Sequence, residues 1–182
     1  MLNSLFHFFC HQMPARSPAL QGSTFPLCYR CAGLYGGLLI AYLHLAITGR
    51  LWRPFPERNG ALAAAAPVAI FLADAWANAL GAWSSPGWCR ALTGVGAALA
   101  IPMLLLPLLG RSRLSPSLHK PAAWIWPAAA GAGFVWLLDH PGSALVFRTL
   151  ALACALGWAA ILANLSLALW EYLDEHHRSF AR

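Results

Sequence analysis

Pro26-Leu27-Cys28-Tyr29-Arg30-Cys31-Ala32-Gly33-Leu34-Tyr35-Gly36-Gly37 runs straight into Leu38-Leu39-Ile40-Ala41-Tyr42, and Cys10-His11-Gln12 precedes it across a loop holding Arg16 and Ser17. Two signals meet in this stretch. From Ala32 onward the residues are small or apolar, as a membrane-crossing helix requires. Just before that helix stand three of the five cysteines in the chain, together with a histidine and two arginines. The segment locates a site. The remainder reads as helical scaffold in lipid with a few polar residues placed inside it.

Composition supports the membrane reading. The chain has 182 residues, of which 59% are hydrophobic and 10% charged. A soluble domain carries roughly a quarter of its residues as charges, because water must cover its surface. Five segments are apolar enough and about long enough to span a bilayer: 32–49, 61–82, 91–109, 122–138 and 149–170. The expected fold is therefore an all-α polytopic membrane bundle of about five transmembrane helices. It forms one integral membrane domain, with 1–31 as the Cys/His site segment, 32–170 as the bundle and 171–182 as a cytoplasmic tail. Met1 to Phe9 is apolar but too short and uncharged for a signal peptide. It is expected to lie in the interface or re-enter the bundle as a short helix.

The net charge of +6 does not indicate nucleic acid, because the basic residues are scattered singly in loops. They report topology instead. Arg50, Arg53, Arg58, Arg111, Arg113, Lys120, Arg178 and Arg182 fall on one side, against Arg16, Arg30, Arg90 and Arg148 on the other. That asymmetry puts the C-terminus in the cytoplasm and the N-terminus, with its cysteines, outside.

Cys28 and Cys31 stand three residues apart, so on a helical turn both thiols share a face. They open the first spanning helix, where free N–H groups and the positive dipole end lower thiol pKa values. Cys10 and His11 must fold back to meet them. The four would supply three thiolates and one imidazole, the ligand set of a closed tetrahedral zinc site. Adjacency of Cys10 and His11 departs from the usual spacing of such ligands. The same cysteines support thiol redox chemistry, with Cys10 or Cys89 completing a relay to a quinone. They equally support a plain structural disulfide, which an oxidising compartment would preserve. Cys154, inside the fifth helix, reads as a small packing residue.

Within the bundle, Asp74 sits roughly 12 Å below the outer end of the second expected helix. An intramembrane carboxylate needs a partner, and such groups are functional candidates by default. Asn78 shares its helix face. Arg30 and Arg90 are candidate counter-charges. Gly33, Tyr35 and Gly37 lie along one face of the first helix, where the glycines allow another backbone to approach.

At these residues the chain resembles a family of small prokaryotic membrane proteins known as domain of unknown function 2085. The pattern Cys-His-Gln, Arg-Ser, Pro-x-Cys-x-Arg-Cys-x-Gly-Ile-Tyr-x-Gly matches Cys10 to Gln12, Arg16-Ser17, Pro26, Cys28, Arg30, Cys31, Gly33, Tyr35 and Gly37. A later acid and an Arg-x-x-Thr-Gly match at Asp74 and at Arg90 to Gly94. Leu34 replaces the isoleucine, and Ser84 to Cys89 lack clear counterparts of the polar residues the family often carries there. The resemblance implies a multi-helix protein of the prokaryotic cytoplasmic membrane with a shared polar site, and it brings no reaction. A second likeness, to thiol-oxidising quinone reductases of bacterial inner membranes, is an analogy. Neither the Cys-His-Gln element nor the buried acid belongs to that pattern.

The expected site thus has two parts. Cys10, His11, Cys28 and Cys31 would hold zinc or another thiophilic metal. Arg16, Arg30, Tyr35, Asp74, Asn78 and Arg90 would form an adjoining polar cavity for a small anionic or lipid substrate. The alternatives are a membrane thiol–disulfide oxidoreductase using Cys28 and Cys31 with a quinone, and an assembly protein stapled by a disulfide. Apart from the lipid bilayer no partner is indicated, and the pattern leaves open whether the chain is an enzyme.

Overall fold

The computed structural model describes residues 6–7, 10, 12–48, 58–108 and 124–180. Among them are five long helices: α1 (Tyr29–Ile47), α2 (Arg58–Ala79), α3 (Gly87–Leu108), α4 (Ile125–Asp139) and α5 (Ala144–Phe180). Each coincides with one of the apolar segments expected to be helical. The N-terminal loop adds a 3-10 turn over Pro14–Arg16 and a small antiparallel hairpin, β1 (Ala19–Leu20) with β2 (Ser23–Thr24). Ala19 pairs with Thr24 and Leu20 with Ser23.

The arrangement is built around α1. It packs against α3, α5 and α4, while α2 packs mainly on α3. Close approach explains the order. A Cβ on Gly33 would overlap the Ala91 backbone of α3, and one on Gly94 would press on the Arg30 carbonyl and Leu34 nitrogen of α1. Glycines thus face backbone from both sides of the α1–α3 contact, as small residues do where helices pack in lipid. Gly157 plays the same part on α5, where its missing side chain makes room for the Tyr35 carbonyl.

The loop before α1 is anchored rather than draped. Phe25 and Leu27 are fully buried, and the Phe25 ring meets Phe147 of α5 edge-on at a centroid distance of 4.9 Å. Such an aromatic pair contributes about 0.5–1.5 kcal/mol beyond its buried area. Phe6 is buried in the same core, and the Cys10 N–H donates to its carbonyl at 3.0 Å. Of the expected N-terminal segment, residues 1–5 and 8–9 lie outside the described residues.

The outer surface is apolar. Ile70, Leu72 and Trp76 on α2 and Leu145, Leu152 and Leu156 on α5 are all exposed. In water such a surface would aggregate; in lipid it is solvated. Two stretches of the described residues are long and apolar enough to cross a bilayer: Tyr29–Ile47, and Ala144–Leu167 within α5. The first is 50% buried and the second 22%, so α1 is the inner helix and α5 a peripheral one. Ala64–Ala79 and α4 are shorter apolar helices. At 15 residues, α4 is about 22 Å long against a hydrocarbon thickness of about 30 Å. Among the described residues, then, two of the five expected spans are shown at full length.

The helix boundaries differ from expectation by several residues, and two of the differences matter for the site and the tail. Helix α2 ends at Ala79, so Asp74 lies only about 7.5 Å from its end. Helix α5 continues through the expected tail to Phe180. At about 55 Å it is longer than a bilayer core is thick.

Candidate metal centre

Cys28 is the N-cap of α1, in extended conformation at φ −68° and ψ 158°. Its free backbone N–H donates to the Cys10 sulfur at 3.3 Å. The fold-back that the sequence required is therefore made by Cys10 docking on the start of α1. Cys31, one turn into the helix, brings its sulfur to the same place. The sulfurs of Cys10, Cys28 and Cys31 all lie within 4.8 Å of one another. His11, the expected fourth ligand, lies outside the described residues.

The donor set fits a thiophilic ion. A tetrahedral zinc with Zn–S bonds near 2.3 Å holds its sulfurs about 3.8 Å apart, so these thiols need close by no more than about an ångström. Their electrostatics agree. Hydrogen bonds from the Cys28 and Cys31 thiols, with the Cys28 N–H, hold the Cys10 pKa down to about 2. The Cys28 thiol is pushed up, chiefly because its proton is held by the Cys10 sulfur. One thiolate with two thiols donating to it could hold a metal ion by losing two more protons. All five cysteines are free thiols.

Beside the sulfurs opens a cavity of about 260 Å³, lined by the three cysteines, Arg16, Arg30 and Arg90, with Gln12 and Met13. The arginines come from three different elements: the 3-10 turn, α1 and α3. Gln12 adopts φ 45°, a left-handed conformation that turns the chain sharply after Cys10.

Behind the arginines runs a polar relay. Arg30 forms an ion pair with the Asp74 carboxylate and donates to the Asp74 carbonyl at 3.3 Å. Asn78 donates to Asp74 Oδ1 at 3.0 Å and to Ser85 Oγ at 2.9 Å. Arg90 donates to Asn78 Oδ1 at 2.8 Å and to Ser85 Oγ at 3.3 Å. Asp74 and Asn78 thus hold two arginines in place from behind, while Arg16, Arg30 and Arg90 face the space. The counter-charge of Asp74 is Arg30; Arg90 is held through neutral oxygens. Tyr35 packs against the apolar core instead of lining this cavity.

The family model described as a predicted membrane protein, DUF2085, matches residues 10–104, just over half of the chain. The chain belongs to this family. The DUF2085 match spans the cysteine cluster, the arginines and the Asp74–Ser85 relay. An uncharacterized protein of Methanocaldococcus jannaschii is 28% identical over 59% of this chain and 67% of its own length. Another, from Methanothermobacter thermautotrophicus, is 38% identical over 21% of this chain and 35% of its own length. No solved structure matches the chain.

Three residues of this DUF2085 site escaped the sequence reading. Ser85 looked like part of a turn, yet it is 5% exposed and bonded to both Asn78 and Arg90. Its signal was weak: one serine seven residues beyond Asn78, next to a proline. Gln12 belonged to the quoted Cys-His-Gln element without a role, and Met13 carried no signal. Cys89 is not one of the clustered thiols. Cys154 is fully buried and donates to the Ala32 carbonyl at 3.5 Å, as a packing residue would.

Proposed function

We propose that this DUF2085 protein is a metal-binding membrane protein. Cys10, Cys28 and Cys31 would hold zinc or another thiophilic ion, with His11 as the fourth ligand. The observation that carries the reading is the convergence of three sulfurs from two separate segments to within 4.8 Å. Bound there, the metal ties the N-terminal segment to the start of α1. It thereby forms one wall of the arginine-lined cavity, which receives a small anionic group. Asp74, Asn78 and Ser85 orient Arg30 and Arg90 toward that group.

A second reading draws on the thiolate character of Cys10 beside two thiols. In it, Cys28 and Cys31 lose two electrons and two protons to a quinone, forming one disulfide and one quinol. Elemental analysis of the detergent-purified protein, with thiols counted before and after reduction, separates the two readings. About one equivalent of zinc, lost in Cys28→Ser, supports the metal site. Absence of metal, with two thiols appearing only after reduction, overturns it, and quinone-dependent reoxidation of those thiols then tests the redox reading.

A further inference from the structure

The arginine cavity carries more charge than its surroundings neutralise. Three guanidiniums line it, and the Asp74 carboxylate pairs with Arg30. Among the described residues no carboxylate pairs with Arg16 or Arg90. Arg90 hydrogen-bonds the neutral oxygens of Asn78 and Ser85, and it lies in the field of Arg16 and Arg30 as well as that of the one Asp74 carboxylate, which already pairs with Arg30. The Nε of Arg30 is buried without a hydrogen-bond partner. A single Cys10 thiolate, or three thiolates sharing one divalent ion, each add one negative charge. Either way an excess of about one positive charge remains on the three guanidiniums that line the cavity.

The missing partner has a definite chemistry. Planar guanidinium forks arriving from three elements match an oxyanion that accepts hydrogen bonds on several faces. A carboxylate offers two oxygens in one plane and suits one fork; a phosphate group offers three or more in a tetrahedron. At about 260 Å³ the space is at the small end for ligand pockets, so it suits a headgroup rather than a whole cofactor.

The same segment supplies both the metal and the anion contacts. Cys10 is six residues before Arg16, and the chain between them turns through Gln12 and closes in the Pro14–Arg16 turn. That turn is held by the Arg16 N–H and the Ser17 hydroxyl, both donating to the Met13 carbonyl. Fixing Cys10 to Cys28 and Cys31 therefore fixes the frame that carries Arg16.

We propose that the cavity is a phosphate-group site whose affinity is set by metal on the three cysteines. This rests on the metal reading above and extends it. Coupling between two sites is reciprocal, and values of about 5–150-fold are typical. Zinc should therefore strengthen phosphate binding by about tenfold, and phosphate should slow zinc loss.

The test titrates inorganic phosphate calorimetrically into the purified full chain, zinc-loaded and metal-stripped, beside Arg16→Ala. Arg16 is exposed and without a described partner, so its replacement leaves the fold and the zinc content intact. Saturable phosphate binding that weakens about tenfold on metal removal, and again in Arg16→Ala, is the expected result. One equivalent of zinc with no phosphate binding overturns this inference alone, as does equal affinity with and without zinc. No zinc uptake overturns the metal reading and the coupling together. Nanodiscs of phosphatidylcholine, with and without phosphatidic acid, identify the source of the phosphate. Competition by phosphatidic acid assigns the site to a lipid headgroup; unchanged affinity assigns it to a soluble phosphate.

Discussion

At Cys10 the proton accounting makes a measurable claim. The hydrogen bonds its sulfur accepts from Cys28 and Cys31 lower its pKa to about 2, and the Cys28 thiol that donates to it is raised. A metal ion binding all three sulfurs at pH 7 should then displace about two protons, not three. Zinc titration by calorimetry in buffers of different ionisation enthalpy gives that number directly. Because metal binding displaces protons from thiols, zinc affinity should fall as pH drops from 7 toward 5. Release of three protons would mean that Cys10 is an ordinary thiol. Asp74 makes a second claim. Its side chain is 12% exposed and that of Arg30 is 19%. Removing one partner of such a pair leaves the other charge uncompensated, at a cost of about 3 kcal/mol, the low end for buried pairs. Asp74→Ala should thus denature at clearly lower detergent challenge than the parent. Asp74→Leu combined with Arg30→Leu should recover part of the loss. Equal sensitivity of the two variants would show that packing, not charge, dominates there.

Between helices, the glycines divide into those that backbone needs and those it does not. A Cβ on Gly33 meets the Ala91 backbone, which cannot rotate aside, whereas Gly133 has nothing within 4 Å. Gly33→Ala should cost at least the 1–3 kcal/mol (about) of an overpacked core. Gly133→Ala should be neutral or stabilise by about 0.5–1 kcal/mol, the helix preference of alanine over glycine. Thermal or detergent denaturation of the pair, read side by side, decides it. A mild Gly33→Ala would mean that α1 and α3 are free to separate. Much of this level was legible in the sequence. Apolar runs gave the helices, because lipid-facing and core-facing residues are both apolar and leave an unbroken signal. Their ends were less legible: α2 stops at Ala79, short of Ala82, and α5 runs on through charged residues to Phe180. Hydropathy marks where lipid contact stops, and a helix need not stop there. The cysteine cluster was legible from spacing plus an assumed fold-back. Ser85 was not, since a lone serine in a turn gains meaning only when Asn78 and Arg90 are placed beside it.

Across the whole molecule, one end of the bundle gathers the chemistry. The start of α1, the end of α2 and the start of α3 meet there through Arg30, Asp74, Asn78, Ser85 and Arg90. The end of α4 joins them where Tyr29 donates to Asp139 at 3.1 Å. The arginines and lysine of the opposite connections, Arg50, Arg53, Arg111, Arg113 and Lys120, lie outside the described residues, but their positions in the sequence still weigh on topology. They predict that the site end faces away from the cytoplasm. An added cysteine reports this directly. Ser23→Cys, in the exposed hairpin between Arg16 and α1, should gain labelling by a membrane-impermeant maleimide in intact spheroplasts, measured against the parent protein. Ser115→Cys should gain it only after permeabilisation. The reverse pattern would invert the orientation. The answer bears on the chemistry, because thiols held close together outside the cytoplasm face conditions in which a disulfide persists. On that side, three thiols remain available together only if something occupies them, and a bound metal does so. On the cytoplasmic side they would stay reduced unaided. An outward-facing site with its thiols unoxidised would therefore require the metal, and an inward-facing one would remove that requirement.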